Sequence, residues 1–300
     1  MSKTKTKQKM NRAAYKEHCW GLAFVAPPFI GFCIFMAFPI VFALIASMTK
    51  WNGMNSMLDN FVGFQNYAKL LTDAKFWKVL GNTIVYMLGI PIGMALAMLI
   101  AVGMNRKMRG IKILRTLYYV PVVSSLVAVA ILWMWVFNYD YGLLNSIIKA
   151  VSGIHGPNWL GDQFWVKVSM IIFMVWKGLG GSIVLYLSGL QSIPRDYYEA
   201  AKIDGAGPIR SFFSITLPNI MKTILSLSIF FTMWRLTSFD LVYAMTSGGP
   251  GDSTSLLAYR IMQEAFTNLN LGYASAIAVC LFIVMTILSF IQLKAIKKFD

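Results

Sequence analysis

Charge is scarce in this sequence. Only 13% of its 300 residues are charged, and only 12 are acidic, where a water-soluble domain is about a quarter charged. With 57% hydrophobic residues, the chain has too little polar surface to cover a core in water, and a bilayer is its natural solvent. Histidine is almost absent. His18 and His155 are too few for a His-based metal centre or a Ser-His pair. The three cysteines, Cys19, Cys33 and Cys280, match no metal or redox spacing. Also missing are G-x-x-x-x-G-K-[ST], G-x-S-x-G and H-E-x-x-H, which cradle phosphates, present a nucleophilic serine or hold zinc. The glycine-rich Ser247–Asp252, SGGPGD, lacks the lysine of a phosphate loop and reads as a turn. The chain reads as a conduit rather than an enzyme, binding no cofactor itself.

What is present is a series of long charge-free runs: 18–49, 79–105, 116–139 and 265–293. Each exceeds the ~20 residues that cross a bilayer. Two more, 168–194 and 223–251, are interrupted by Lys177 and by Arg235 with Asp240. The spacing predicts an all-α integral membrane protein with six transmembrane helices at about 22–48, 79–104, 116–138, 166–190, 219–246 and 272–294. The first run is too long for a signal peptide and ends in no clear cleavage site, so it is expected to stay.

The net charge of +15 does not point to nucleic acid, because the basic residues sit at the ends of the apolar runs. Lys3, Lys5, Lys7, Lys9, Arg12 and Lys16 precede the first span. Arg106, Lys107, Arg109, Lys112 and Arg115 follow the second. Arg195, Lys202, Arg210 and Lys222 lie between the fourth and fifth, and Lys294, Lys297 and Lys298 close the chain. The opposite side holds only Lys50, Lys69, Lys75, Lys78, Lys149, Lys167 and Arg260. Both termini are therefore expected in the cytoplasm.

The outer stretch 61–78 reads as a short interfacial helix, and Trp51, Trp77, Trp159 and Trp165 as an aromatic belt. The expected layout is a basic cytoplasmic tail at 1–21, then the first span and outer loop at 22–78. A core of five spans follows at 79–295, with a cytoplasmic loop at 191–218, and a tail at 296–300.

That loop contains EAAKIDGAG, 199–207, a polar island between apolar runs. Ser192 and Pro194 suit a helix start. Asp196 and Glu199 lie early, where the helix dipole favours acids, and Lys202 can pair with Glu199. Gly205 suits a left-handed helix end. A second helix is expected at 209–215, before Leu217-Pro218 turns the chain back. The product is a helix–turn–helix knob. Ala200 and Ala201 give it a thin side for a partner's groove, and Glu199 offers a carboxylate to a partner's cation. By residue chemistry alone, a solvated connector fits equally well.

Glu199-Ala200-Ala201, Gly205, Ile215 and Leu217-Pro218 fit EAA-x3-G-x9-I-x-LP without a gap. This resembles the EAA loop of bacterial ABC-importer permeases. FVGFQNYAKLL (61–71), LYYVPVV (117–123), FNYDYGLLN (137–145), YLSGLQSIPRDYYEAAKIDGAG (186–207), FDLVYAMTSGGP (239–250) and LGYASA (271–276) resemble the carbohydrate branch of that family. The likeness is to the first of two paired permeases in maltose or glycerol-phosphate type importers. It implies a type I permease core in the bacterial plasma membrane and a second homologous permease. It also implies two ATPase subunits that hold ATP and Mg, and an extracytoplasmic sugar-binding lipoprotein or periplasmic protein. Glu199, Ala200, Ala201, Asp204, Gly205, Ile215, Leu217 and Pro218 would then form the coupling segment.

Polar and aromatic groups at membrane depth are the candidate sugar contacts: Trp133, Lys177, Trp234, Arg235, Asp240 and Tyr243. For Arg235, snorkelling or pairing with the second permease fits slightly better than a sugar. Asp240 is expected near the outer end of its span. Lys177 is expected to snorkel outward. Lys177–Gly181, KGLGG, suits a hinge or close packing, and Gly89 with Gly93 suits packing around Pro91. The alternative without an ATPase is a secondary transporter or channel; within the ABC class, glycerol-phosphate or another small polar solute is the alternative cargo.

Overall fold

The computed structural model describes residues 12–54, 56–105 and 110–298. Lys3, Lys5, Lys7 and Lys9 of the basic tail, and Arg106, Lys107 and Arg109, lie outside the described residues.

Among the described residues four helices are long and apolar enough to cross a membrane, or six spans if each of two bent pairs counts as one. The first is α1 (12–46). The short α2 (Gln65–Thr72) precedes the second span, α3 (Ala74–Met104). The third is the broken pair α4 (Ile111–Val123) and α5 (Leu126–Val136). After α6 (Leu143–Ser152), the fourth span is α7 (Trp165–Gln191). A hairpin of α8 (Arg195–Ile203) and α9 (Pro208–Asn219) leads to α10 (Met221–Thr237). The short helices α11 (Asp240–Met245) and α12 (Leu257–Met262) precede the last span, α13 (Leu271–Ile296).

Two prolines shape their helices in the same way. A turn of π-helix stands at Cys33–Ala37 before Pro39, and another at Phe212–Thr216 before Pro218. In each, the residue before the proline reaches back five positions, from the Phe38 N–H to the Cys33 carbonyl and from the Leu217 N–H to the Phe212 carbonyl. The proline has no N–H to continue the α-pattern.

Three apolar clusters hold the bundle. Met94, Met98, Met104, Tyr186, Leu190 and Leu227 join α3, α7 and α10 at the hairpin end. Phe137, Trp159, Phe173, Leu241 and Met245 fill the opposite end. Val79, Leu257, Tyr273 and Ile277 pack α13 against α3 and α12. The LGYASA stretch is explained by close approach. A Cβ on Gly272 would collide with the Thr49 carbonyl, and the Gly272 N–H donates to the Trp51 carbonyl at 3.0 Å. Gly89 and Gly93 let α3 lie against Val175 of α7, as their spacing suggested.

The structure corrects several expectations. The third span is not continuous over 116–138; it bends by 104° between Val123 and Leu126. The fifth ends at Thr237, and Asp240 opens a separate helix. The stretch 61–78 is not one interfacial helix. α2 stops at Thr72, Asp73 caps α3 by accepting from the Lys75 N–H, and Phe76 is buried. Trp159 is no belt residue either: it is buried and donates to Asn145 Oδ1 at 2.8 Å.

Candidate functional site

The hairpin between the fourth and fifth spans is built by local rules. Ser192 ends α7, donating its hydroxyl to the Gly189 carbonyl, and does not open α8 as expected. Pro194 takes the position before α8, and Asp196 sits in its first turn. At the other end the Gly205 N–H donates to the Lys202 carbonyl at 3.1 Å and the Ala206 N–H to the Ala201 carbonyl at 2.8 Å. This pair of bonds, with Gly205 at φ +71°, is a Schellman closure. The second helix runs to Asn219 rather than stopping before Leu217-Pro218, and the 63° bend follows it.

Ala200, Ala201, Asp204 and Ile215 line one groove of about 450 Å³, with Arg210 and Ser214 on its far wall. Ala201 is buried within its own chain. Ala200 and Glu199 are exposed. Among the described residues no ion pair joins Glu199 to Lys202. Ile203 is 87% exposed and Ile209 74%, a bare apolar tip beside a free carboxylate. Leu217 and Pro218 lie on α9 away from the groove lining. The Tyr198–Thr216 hydroxyl bond that ties the two helices, 2.9 Å, was not foreseen.

Deeper in the bundle, each of three candidate charges sits at a helix end. Lys177, 8% exposed, does not snorkel outward. Its ammonium donates to the carbonyls of Pro121 and, at 2.7 Å, of Ser124, at the open C-terminal end of α4. Arg235, 6% exposed, lies in the last turn of α10. Asp240 begins α11, and its carboxylate is exposed. Each sign matches the dipole of its helix end. Trp133 packs on Phe173 and Trp176, with centroids 5.9 and 5.2 Å away. Tyr243 is exposed on α11. Lys177 lies at the first break and Asp240 opens the helix after the second, while Trp133 and Tyr243 sit on α5 and α11, which pack together. Trp234 and Arg235 lie across the second break, ring to guanidinium 5.5 Å. The gap beside Arg235, between α3, α7 and α10, is about 10 Å³. That admits one water at most, so sugar reaches Arg235 only if these helices part. KGLGG is unbroken helix: Gly178 faces Phe231, and Gly180 meets the backbone of Tyr118. Close packing accounts for Gly180, while Gly181 faces open space.

At the end away from the hairpin is a buried ionic cluster that sequence reasoning missed. Arg260 Nη2 lies 2.6 Å from Glu264 Oε1 and 3.8 Å from Asp73 Oδ2, and the Tyr273 hydroxyl donates to Asp73 at 2.7 Å. Burial alone would raise the Asp73 pKa. The Tyr273 hydroxyl, the Lys75 and Phe76 amides and Arg260 outweigh it and hold the carboxyl below its ordinary value. Asp73 after Thr72, just before an apolar run, was the available signal: a helix cap. Nearby, Lys75 pairs with Asp252 at 3.1 Å, and Asn82 donates to the Asp252 carbonyl. These contacts pin the SGGPGD turn to α3.

The family described as the binding-protein-dependent transport system inner membrane component matches residues 89–298. The chain belongs to that family. It is 37% identical to the multiple sugar-binding transport system permease protein MsmF of Streptococcus mutans, covering 94% of this chain and 96% of that one. It is 36% identical to the lactose transport system permease protein LacF of Rhizobium radiobacter, covering 93% and 94%. A crystal structure of a bacterial ABC transporter that imports alginate shares the fold. The TM-score is 0.80 at 22% identity, covering 94% of this chain and 96% of that one. This chain is therefore a multi-pass permease subunit of an ABC importer. The permease's hairpin holds the EAA pattern, and its bundle holds the broken spans.

Proposed function

We propose that this permease forms half of a sugar pathway in the bacterial plasma membrane, with both termini cytoplasmic. It pairs with a second homologous permease above two ATPase subunits, which hold ATP and Mg and perform the hydrolysis. A sugar-binding lipoprotein or periplasmic protein delivers cargo to the outer end. The observation that carries this reading is the hairpin: a Schellman-closed knob with an exposed Glu199 carboxylate and a bare Ile203–Ile209 tip. Such a prong fits a cleft in a moving partner and turns that partner's closure into helix rotation. Sugar as cargo is supported by the relatives named for sugar transport. A relative named for sn-glycerol-3-phosphate transport is 30% identical and supports glycerol-phosphate as the second reading.

The test is gentle purification of the tagged permease, identification of the subunits that come with it, and ATP-driven uptake in vesicles. A second permease, an ATPase and ATP-dependent sugar accumulation are expected. Accumulation by this chain alone without nucleotide would overturn the reading in favour of a secondary transporter.

A further inference from the structure

We infer that Lys177 is a positioning residue that holds the third span broken, rather than a group that touches cargo. The inference rests on the permease reading only where transport is measured.

At the break at Ser124–Ser125, Ser124 donates its hydroxyl back to the Val120 carbonyl at 2.7 Å, a local contact that bends a helix but falls short of turning it through 104°. Neither residue is glycine or proline, and Pro121 lies within α4, three positions before its C-cap Ser124. What the break has is a tertiary partner. A helix end leaves carbonyls without donors, and in a membrane each such group is costly. Lys177 supplies donors to Pro121 and Ser124 from α7, across more than fifty positions of sequence. A lysine has three N–H donors, so two are taken by backbone. The side chain is 8% exposed, which leaves little ammonium surface for a sugar.

A second, independent feature points to the same place. Gly180, one turn along α7, lies so close to the Tyr118 carbonyl that a Cβ would collide with it. Lys177 and Gly180 thus address the same end of α4, one by charge and one by close approach. The bend in turn sets the direction of α5, which packs on α11 and places Trp133 beside the helix that carries Asp240 and Tyr243. Without the ammonium, the cheapest remedy for the freed carbonyls is to continue the helix through Ser124–Ser125. That straightens the span and swings α5 away.

The experiment places spin labels at Ile113→Cys and Leu132→Cys in the assembled transporter, with native cysteines replaced by alanine. At 1.5 Å per residue a 104° bend puts these positions about 17 Å apart, and a straight helix about 28 Å. Lys177→Met is expected to move the distance distribution from the short value towards the long one. Maximal uptake falls by about tenfold, as for loss of a charge-assisted bond, with half-saturating cargo concentration unchanged. Lys177→Arg keeps the short distance. Gly180→Ala, with Lys177 intact, also lengthens it. A short distance retained in Lys177→Met overturns the inference, and so does a raised half-saturating concentration with the geometry unchanged, which would mark a ligand. If the wild type moves no sugar, the proposed function fails, while the distances still decide the role of Lys177.

Discussion

The hydroxyls of Tyr198 and Thr216 lie 2.9 Å apart, and this bond joins the two helices of the α8–α9 hairpin, the knob proposed to couple to the ATPase. A lever that bends transmits less than one that is rigid. Tyr198→Phe removes a bond that contributes about 1 kcal/mol while keeping the ring packed. The variant is expected to assemble normally and to hydrolyse ATP at the wild-type rate, but to move less sugar per ATP. Uptake and hydrolysis measured on the same vesicles check this.

Gly205 sits at φ +71° with open space around it, so only backbone strain opposes a side chain there. Gly205→Ala is expected to cost about 1 kcal/mol, and Gly205→Asn less, because asparagine tolerates the left-handed region. Limited proteolysis of the 203–208 turn in the intact assembly should rank wild type, Asn and Ala in that order of resistance.

The Arg260–Glu264 pair is buried, at 8% and 4% exposure. Glu264→Gln leaves a buried guanidinium without its near carboxylate, and a loss of about 3–5 kcal/mol is expected. Arg260→Met with Glu264→Leu removes both charges and should recover most of that loss. Thermal unfolding of the detergent-purified protein measures each.

Asp73 predicts an acid sensitivity. Its folded carboxyl titrates below the ordinary value near 3.9, despite burial, because Tyr273, two amides and Arg260 favour the anion. A depressed folded pKa contributes stability that is present above the unfolded pKa and lost as pH falls through the folded one. Stability should therefore drop below about pH 4, and Asp73→Asn should flatten that part of the profile. Melting temperature against pH checks the sign.

The spans were legible because charge-free length is a direct consequence of the bilayer's low polarity. α7 and α13 end within a few residues of where the sequence placed them. Gly205 was legible because a left-handed helix end asks for glycine. The breaks at 124–125 and 238–239 were not, because serine is only a weak breaking signal, and the hydroxyls of Ser124 and Ser238 return to carbonyls one turn back. What enforces the first is a lysine brought from another span. The same distance hid the role of Lys177, since its depth suggested snorkelling while its true partners were carbonyls on α4. Arg260 was counted only as an outer-side charge: Asp73 comes to it from far away in sequence, while Glu264, four residues on, was the signal passed over.

The central claim is that nucleotide-driven motion enters this permease through the knob. The most direct measurement is sugar uptake and cargo-stimulated ATP hydrolysis by the assembled transporter carrying Glu199→Lys. Glu199 is exposed, and among the described residues no ion pair holds it, so the helices should fold. Hydrolysis should lose its response to cargo, and uptake should fall at least about tenfold, as for a lost charge-assisted contact. Wild-type uptake by Glu199→Lys would contradict the account.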